Sequence, residues 1–81
     1  DNQTLEVRPA GGWVVLSPMT GVVVEVYVKV GDDVAEGDVL IIIEAMKMNN
    51  ELRAQRAGSV RELHVQAGQR VESGMSLLAL Q

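Results

Sequence analysis

Clusters of β-branched and leucine residues recur along the chain from Trp13 to the C-terminus, separated by short glycine-bearing turns. In order, the clusters read WVVL, VVVEVYVKV, DVLIII, SVRELHV and SLLALQ. Short apolar runs of this composition, bounded by turn residues, are typical of β-strands, and no segment has a convincing helical period. The pattern predicts an all-β domain over residues 13–81, a flattened sandwich or barrel of about eight short strands.

The strand pattern contains an internal repeat with a shift of 37 residues (58 − 21), which lays residues 17–44 over residues 54–81. Eight residues recur identically: Gly21, Val23, Glu25, Val28, Gly31, Val34, Gly37 and Leu40 return as Gly58, Val60, Glu62, Val65, Gly68, Val71, Gly74 and Leu77. Glycines at the same offsets indicate the same backbone turns. Each copy alone would be a short sheet with one uncovered apolar face, so the repeat predicts two sheets packed face to face about a pseudo-two-fold axis.

The apolar spacing within each copy departs from simple alternation. Val23, Val26 and Val28 are three and then two residues apart, and the second copy repeats this spacing. A strand that changes face in this way needs a β-bulge. Bulges are therefore predicted near Val24–Glu25 and near Arg61–Glu62.

The first twelve residues, DNQTLEVRPAGG, lack sustained periodicity and end in a Pro-Ala-Gly-Gly exit. We predict a flexible linker or lead-in over residues 1–12. The alternative is an edge strand from Thr4 to Arg8. The start at Asp1 suggests a segment excised or processed from a longer protein.

The repeat also locates Lys47. The aligned copies end at Glu44 and Gln81, and residues 49–55 align with residues 12–18, so residues 45–48 form the junction between the copies. Lys47 is therefore predicted at the exposed tip of a tight connection between two strands. Turn propensity alone favours Asn49-Asn50. A turn centred on Met46-Lys47 is locally unfavourable, and such violations are found at functional positions.

Composition excludes several classes of function. The net charge is −4, the pI is about 4.8, and Trp13 and Tyr27 are the only aromatic residues, which opposes nucleic-acid binding. Cysteine is absent, so there is neither a disulfide framework nor a thiolate metal site. No apolar run reaches the roughly 18 residues of a membrane span, and no signal-peptide pattern opens the chain. We expect a soluble intracellular domain.

Two further groups of polar residues are not predicted to carry chemistry. The cluster Asp32, Asp33, Glu36 and Asp38 lacks the ligand order of a calcium loop, so we predict turn formation and solubility rather than metal binding. His64 has no obvious base or orienting partner in the sequence, and no nucleophile-base constellation is present, so we predict no catalytic residue.

An exposed lysine at a turn suits covalent modification. Because an exposed lysine is protonated at neutral pH, an enzyme must remove the proton before the amine can act as a nucleophile.

The motif EAMKM at residues 44–48 resembles the attachment site of the biotinyl domains, the biotin carboxyl carrier domains of biotin-dependent carboxylases. SPMTGVV at 17–23, VKVGDDVAEGDVL at 28–40 and AGSVRELHVQAGQRVESGMSLL at 57–78 extend the resemblance over nearly the whole chain from Trp13. It implies a barrel-sandwich hybrid of two four-stranded antiparallel sheets, with biotin joined by an amide to Lys47. Met46 and Met48 would flank the site, and Glu44 and Ala45 would belong to the surface that a biotin protein ligase recognises.

The chain departs from the family at two places. Gln55 stands where related domains often have proline, so this strand entry lacks the rigidity that a proline would give it, and the attachment site is unaffected. No extra residues lie between Val28 and Gly31, so the protruding thumb of some bacterial carriers is absent, and the chain is more similar to carrier domains of multifunctional carboxylases.

The resemblance implies a non-catalytic carrier in the cytoplasm or the mitochondrial matrix. Its partners would be a biotin carboxylase, where carboxybiotin forms from bicarbonate with ATP and magnesium, and a carboxyltransferase, where an acceptor takes the carboxyl group. Two alternatives remain open. One is a lipoyl domain of a 2-oxo-acid dehydrogenase complex, whose usual signature is Asp-Lys-Ala; the other is an unmodified barrel-sandwich interaction module in which Lys47 has no role.

Overall fold

The computed structural model describes residues 4–7 and 12–81, with side chains described from residue 12 onward. Within these residues the elements are β1 (Thr4–Val7), β2 (Trp13–Leu16), β3 (Gly21–Val26), β4 (Asp33–Val34), β5 (Val39–Ala45), β6 (Met48–Arg53), β7 (Gly58–Leu63), β8 (Arg70–Val71) and β9 (Ser76–Leu80). The described residues include no helix, and therefore none long and apolar enough to cross a membrane. The predicted all-β fold is confirmed.

The strands form two antiparallel sheets. The first has the order β1-β2-β9-β7-β4 and the second has the order β6-β5-β3-β8. With β1 set aside, each sheet has four strands, as the resemblance implied. The shift of 37 residues converts β2, β3, β4 and β5 into β6, β7, β8 and β9, so the two sheets are equivalent under the predicted pseudo-two-fold relation.

The expectation that each copy of the repeat forms its own sheet is wrong. The first sheet combines β2 and β4 of the first copy with β7 and β9 of the second, and the other sheet does the reverse. Strand pairing therefore links the two copies within each sheet. The copies share one core, and neither copy retains a complete sheet of its own.

Both predicted bulges are confirmed. The register of β3 against β5 shifts between Val23 and Glu25, and that of β7 against β9 shifts between Val60 and Glu62. After the first bulge the chain crosses between the sheets, because the Tyr27 N–H donates to Leu40 in the second sheet while the Gly31 N–H donates to Val60 in the first.

The core takes residues from both copies and both sheets. Its fully buried large side chains are Leu40, Ile41, Ile43, Leu52, Leu77, Leu78, Leu80, Val15, Val23, Val60 and Val71. Trp13 is buried at the end of the domain formed by Gly58 and Gln81, and the Arg56 guanidinium lies 4.2 Å from the centre of its ring. A cation over an indole face is attracted by the ring quadrupole.

The linker prediction for residues 1–12 requires a correction at its centre. Thr4–Val7 forms β1, which pairs antiparallel with β2 from Thr4 opposite Leu16 to Val7 opposite Trp13. The alternative of an edge strand matches this segment, since β2 would otherwise be the exposed edge of its sheet and β1 pairs with that edge. Residues 1–3 and 8–11 lie outside the described residues.

The turn before β4 is closed by Asp32. Its carboxylate accepts the backbone N–H of Lys29 at 3.0 Å and the Lys29 ammonium at 3.2 Å. These contacts hold the pKa of Asp32 below its ordinary value of 3.8, and the hydrogen bond from the Lys29 backbone has the largest effect. The second copy has the neutral counterpart, in which the Gln66 N–H donates to the Gln69 side-chain oxygen at 3.2 Å.

Replacing Asp32 by glutamine should lower the stability at neutral pH, and the loss should shrink on acidification. A lowered folded-state pKa means that the carboxylate stabilises the fold above pH 3.8, and that this contribution disappears as the pH falls through the lowered pKa. Urea unfolding of Asp32→Gln and of the parent, at neutral pH and in steps below 3.8, tests this. Gln69→Ala is the control, because a difference from a non-titrating side chain should stay constant over the same steps.

Candidate functional site at the β5–β6 hairpin

Strands β5 and β6 form the longest hairpin of the domain, and its tip is the candidate site. Glu44 pairs with Asn49 and Ala45 pairs with Met48, which leaves Met46 and Lys47 as a two-residue turn. The position deduced from the repeat is confirmed. The competing turn at Asn49-Asn50 is absent, because both asparagines are paired residues of β6.

The turn holds both of its central residues in the left-handed region. Met46 has φ 53° and Lys47 has φ 64°, and they are the only non-glycine residues with positive φ in the described part of the chain. Positive φ at both positions is the type I′ pattern, which matches strand twist and strongly favours Asn-Gly. Each non-glycine residue in this region costs on the order of 1 kcal/mol.

The side chains around Lys47 face solvent. Met46 is 94% exposed and Met48 is 66% exposed, and Lys47 and Glu44 are also exposed while Ala45 is half-buried. Two large apolar side chains in water on either side of an amine cannot be explained by packing within the domain. They leave a chemically distinct tip that another protein can recognise.

The base of the hairpin is held by Asn50, which the sequence did not single out, and by a close approach at Gly21. The side-chain amide of Asn50 donates to the carbonyl groups of Ile43 and Met48, each at 3.2 Å. Gly21 begins β3 directly beside Glu44, and a Cβ at Gly21 would lie 2.3 Å from the Glu44 carbonyl oxygen. A signal for Asn50 was available, because the repeat places it where the first copy has Trp13, two residues beyond the junction that forms the tip.

Replacing Met46 by asparagine should stabilise the domain by about 0.5 kcal/mol, since asparagine tolerates the left-handed region. The expected observation is a higher urea midpoint with an unchanged denaturant slope. Met48→Asn is the matched control, because Met48 lies in β6 and has no positive φ to relieve. An equal gain in both variants would mean that removal of an exposed methionine, and not relief of the turn, is the cause.

The other polar candidates lie in turns and across strands. Asp33 accepts a hydrogen bond from the Ser59 hydroxyl at 2.7 Å, and Asp38 accepts one from the Ala35 N–H at 2.9 Å. These contacts suit the predicted role in turns, and the part of the chain that is described contains no group of three or more potential ligands able to hold a metal.

His64 has two partners that the sequence did not indicate. Its Nδ1 lies 3.0 Å from the Ser76 hydroxyl and its Nε2 lies 2.9 Å from a Glu62 carboxylate oxygen. The three side chains lie on neighbouring strands β7 and β9 and in the residue after β7. The Ser76 and Glu62 contacts orient the imidazole on the surface. Strands β7 and β9 belong to the first sheet, whereas the Lys47 hairpin belongs to the second.

The match to a known family covers almost all of the described chain. The profile of the biotin/lipoyl family, described as "Biotin-requiring enzyme", matches residues 14–80. The chain belongs to this family. The match includes both copies of the repeat and the hairpin that joins them.

Curated relatives are similar over most of the domain. The mitochondrial propionyl-CoA carboxylase alpha chain of Homo sapiens is 52% identical over 68 residues, which are 84% of this chain and 9% of the relative. The biotin carboxyl carrier protein of Streptococcus mutans is 47% identical over 64 residues, which are 79% of this chain and 49% of the relative. The chain therefore spans only a part of these relatives.

Solved structures agree with the fold. A single-chain, multi-domain long-chain acyl-CoA carboxylase superposes with a TM-score of 0.84 at 35% identity, covering 96% of this chain and 8% of that one. The lipoyl domain of the 2-oxoglutarate dehydrogenase complex from Azotobacter vinelandii superposes with a TM-score of 0.70 at 29% identity, covering 76% of this chain and 78% of that one. The carboxylase is thus the more similar of the two by both measures.

Proposed function

We propose that this domain is a biotin carboxyl carrier, spanning residues 13–81, in which biotin is joined by an amide to Nζ of Lys47. The observation that carries the proposal is the turn itself. It holds Lys47 at the exposed tip of a rigid hairpin, between two exposed methionines, in a conformation that its sequence does not favour. The names of the carboxylase relatives and their similarity across the hairpin support the same function.

The chain's own residues have distinct tasks in this proposal. After a biotin protein ligase removes its proton, Nζ of Lys47 attacks the activated carboxyl group of biotin; the amide bond forms, and the bond from that carboxyl carbon to its activating group breaks, so that the activating group leaves. Met46, Met48, Glu44 and Ala45 form the surface that the ligase recognises. Asn50 and the close approach of Gly21 to Glu44 hold the base of the hairpin from which the tip projects.

Once attached, biotin supplies the chemistry of carboxyl transfer, and the protein supplies position and transport. The domain itself is a non-catalytic carrier. It visits a biotin carboxylase and then a carboxyltransferase of the same carboxylase, in the cytoplasm or the mitochondrial matrix. A carrier tethered to its enzymes has a high effective concentration at each site, so weak docking is sufficient.

The lipoyl domain is the second candidate function, because the solved lipoyl domain has the same fold. Met46 and Met48 disfavour it, since the lipoyl signature around the lysine is Asp-Lys-Ala. An unmodified interaction module is the third candidate. It assigns no role to Lys47 and leaves the exposed methionines unexplained.

The decisive experiment is the intact mass of the full-length protein after co-expression with a biotin ligase and free biotin, followed by peptide mapping. We expect the mass to rise by one biotinyl group, and the modified peptide to contain Lys47. Within the 81 residues the only lysines are Lys29 and Lys47, so a modified peptide from this domain distinguishes between them. No gain with a competent ligase, or a lipoyl adduct in a parallel trial with a lipoate ligase, would overturn the proposal.

A further inference from the structure

The two copies of the repeat differ sharply on their outer surfaces. The first copy exposes Val22, Val24, Tyr27 and Val30, which we call the β3 stripe. The equivalent residues of the second copy, 37 positions later, are Ser59, Arg61, His64 and Ala67. The stripe places four exposed apolar side chains where the second copy has polar or small ones.

The fold does not require these apolar residues. Both copies have the same bulge, and the N–H groups of Tyr27 and His64 make equivalent hydrogen bonds to Leu40 and Leu77, each at 2.9 Å. Tyr27 and Val30 are nevertheless 56% and 58% exposed. Because the second copy forms the same backbone with His64 and Ala67, the stripe has a cause outside the packing of this domain.

The groove beside the stripe is acidic in the first copy alone. A groove of about 390 Å³ is lined by Tyr27 together with Asp32, Asp33, Asp38 and Glu51. Its counterpart in the second copy, about 470 Å³, is lined by His64, Gln66 and Gln69 among others and has no carboxylate.

The backbone turns can form without acidic residues at these four positions, although Asp32 and Asp38 do accept turn N–H groups in the first copy. Asp32, Asp33, Glu36 and Asp38 correspond to Gln69, Arg70, Ser73 and Met75, which are not acidic, and the same turns form in the second copy with Glu72 as the one carboxylate between Arg70 and Met75. Lys29 and Arg53 neutralise part of this surface, through Asp32 and Glu51 respectively. Asp33, Glu36 and Asp38 have no cation within ion-pair distance among the described residues.

We propose that the β3 stripe and the adjacent carboxylates form the surface by which this carrier docks on the biotin carboxylase. An apolar centre with a charged rim is the usual anatomy of a transient interface. The substrates of a biotin carboxylase, ATP and bicarbonate, are anions and require cationic residues around its active site. An acidic carrier surface is complementary to that charge and accelerates the encounter.

The stripe runs from the hairpin tip toward the open end of the β5–β6 hairpin. Val22 pairs with Glu44 next to the tip, whereas the Tyr27 N–H donates to Leu40, close to the end where Val39 pairs with Arg53. A partner that covers the whole stripe therefore reaches the tip at the Val22 end, while the carboxylates beside Tyr27 lie at the opposite end. The inference rests on the proposed biotin attachment. It adds which face of the domain docks and which enzyme that face binds.

The test uses the full-length biotinylated protein and the biotin carboxylase encoded with it. Two variants, which we call the stripe variants because one changes the β3 stripe and the other an adjacent carboxylate, take their new residues from the second copy: Tyr27→His with Val30→Ala, and separately Asp33→Arg. The matched controls are the reverse changes on the other copy: His64→Tyr with Ala67→Val, and Arg70→Asp. The readouts are the rate of carboxybiotin formation from labelled bicarbonate and its dependence on salt, with free biotin as a substrate that needs no docking.

We expect both stripe variants to slow carboxybiotin formation at least tenfold, and Asp33→Arg to weaken its salt dependence. Biotinylation measured by mass, and the carboxylation of free biotin, should be unchanged. The control variants should retain the parental rate. A parent protein that is not biotinylated by a competent ligase would instead contradict the proposed function.

Two outcomes would overturn the docking proposal while leaving the carrier function intact. The first is normal carboxybiotin formation in both stripe variants. The second is normal carboxybiotin formation with slower transfer to the acceptor, which would assign the stripe to the carboxyltransferase.

Discussion

Replacement of Lys47 by alanine is expected to abolish biotinylation completely while leaving the fold intact. The amide bond requires a primary amine at the tip of the hairpin, and no neighbouring side chain can supply one. The side chain of Lys47 is exposed and makes no hydrogen bond or ion pair with the residues that the structure describes. Its removal should therefore change the free energy of unfolding by no more than about 0.5 kcal/mol. Intact mass and thermal unfolding measure the two effects separately.

Lys29→Ala is the matched control, because it removes the other lysine of the chain. That variant should be biotinylated as fully as the parent and lose only the contact between Lys29 and Asp32. Residual modification of Lys47→Ala would place the attachment elsewhere. A collapse of its melting temperature would show that Lys47 supports the fold in a way that an exposed turn residue cannot.

Replacement of Gly21 by valine should destabilise the domain by about 3 kcal/mol or more, or prevent folding. A Cβ at this position would lie 2.3 Å from the Glu44 carbonyl oxygen and 2.9 Å from the Ile43 side chain. The nearest of these atoms belongs to the backbone of a central strand, so it cannot move without distorting the β3–β5 pairing. Urea unfolding measures the loss, and Gly21→Ala provides a smaller change should the valine variant not fold.

Two other glycines separate the possible causes. Gly31 has φ +99° and open space around an added Cβ, so Gly31→Ala isolates the conformational cost, about 1 kcal/mol. At Gly58, the nearest atom to an added Cβ is in the Trp13 ring, at 2.6 Å, and a side chain can yield more readily than a strand. Gly21→Ala should therefore cost more than Gly58→Ala. The reverse order would mean that close approach to the Glu44 backbone is not the reason for glycine at this position.

The close approach at Gly21 and the hydrogen bonds of Asn50 both lie at the base of the hairpin that carries Lys47. Gly21 allows β3 to lie against Glu44, and Asn50 ties Ile43 to Met48 just below the turn. A substitution at Gly21 that still permits folding should consequently reduce modification at Lys47 more than Gly31→Ala does. The turn at Gly31 precedes β4 in the other sheet and has no such contact with the hairpin.

Features that depend on local backbone geometry could be predicted from the sequence. Gly31, Gly37, Gly68 and Gly74 all have positive φ, as their recurrence at equal offsets indicated. The spacing of Val23, Val26 and Val28 encoded the bulge, because it is the local alternation of faces that fails there. Lys47 could be placed at a strand junction because the alignment of the copies ends at Glu44. This placement does not depend on which strands β5 and β6 pair with.

Features that depend on which segments meet in space were decided only by the tertiary structure. The exchange of strands between the copies and the pairing of β1 with β2 are long-range choices, and a repeat of 37 residues is equally compatible with separate sheets. The left-handed turn that exposes Met46 is fixed by the register of β5 and β6, and Met48 is exposed as the first residue of β6 beside that turn. The turns, the bulges and the lysine at an exposed strand junction are local backbone properties, so the repeat could predict them. Which strands share a sheet, the left-handed conformation of the tip and the exposure of the β3 stripe arise only once distant strands have paired and one shared core has determined which side chains remain in water.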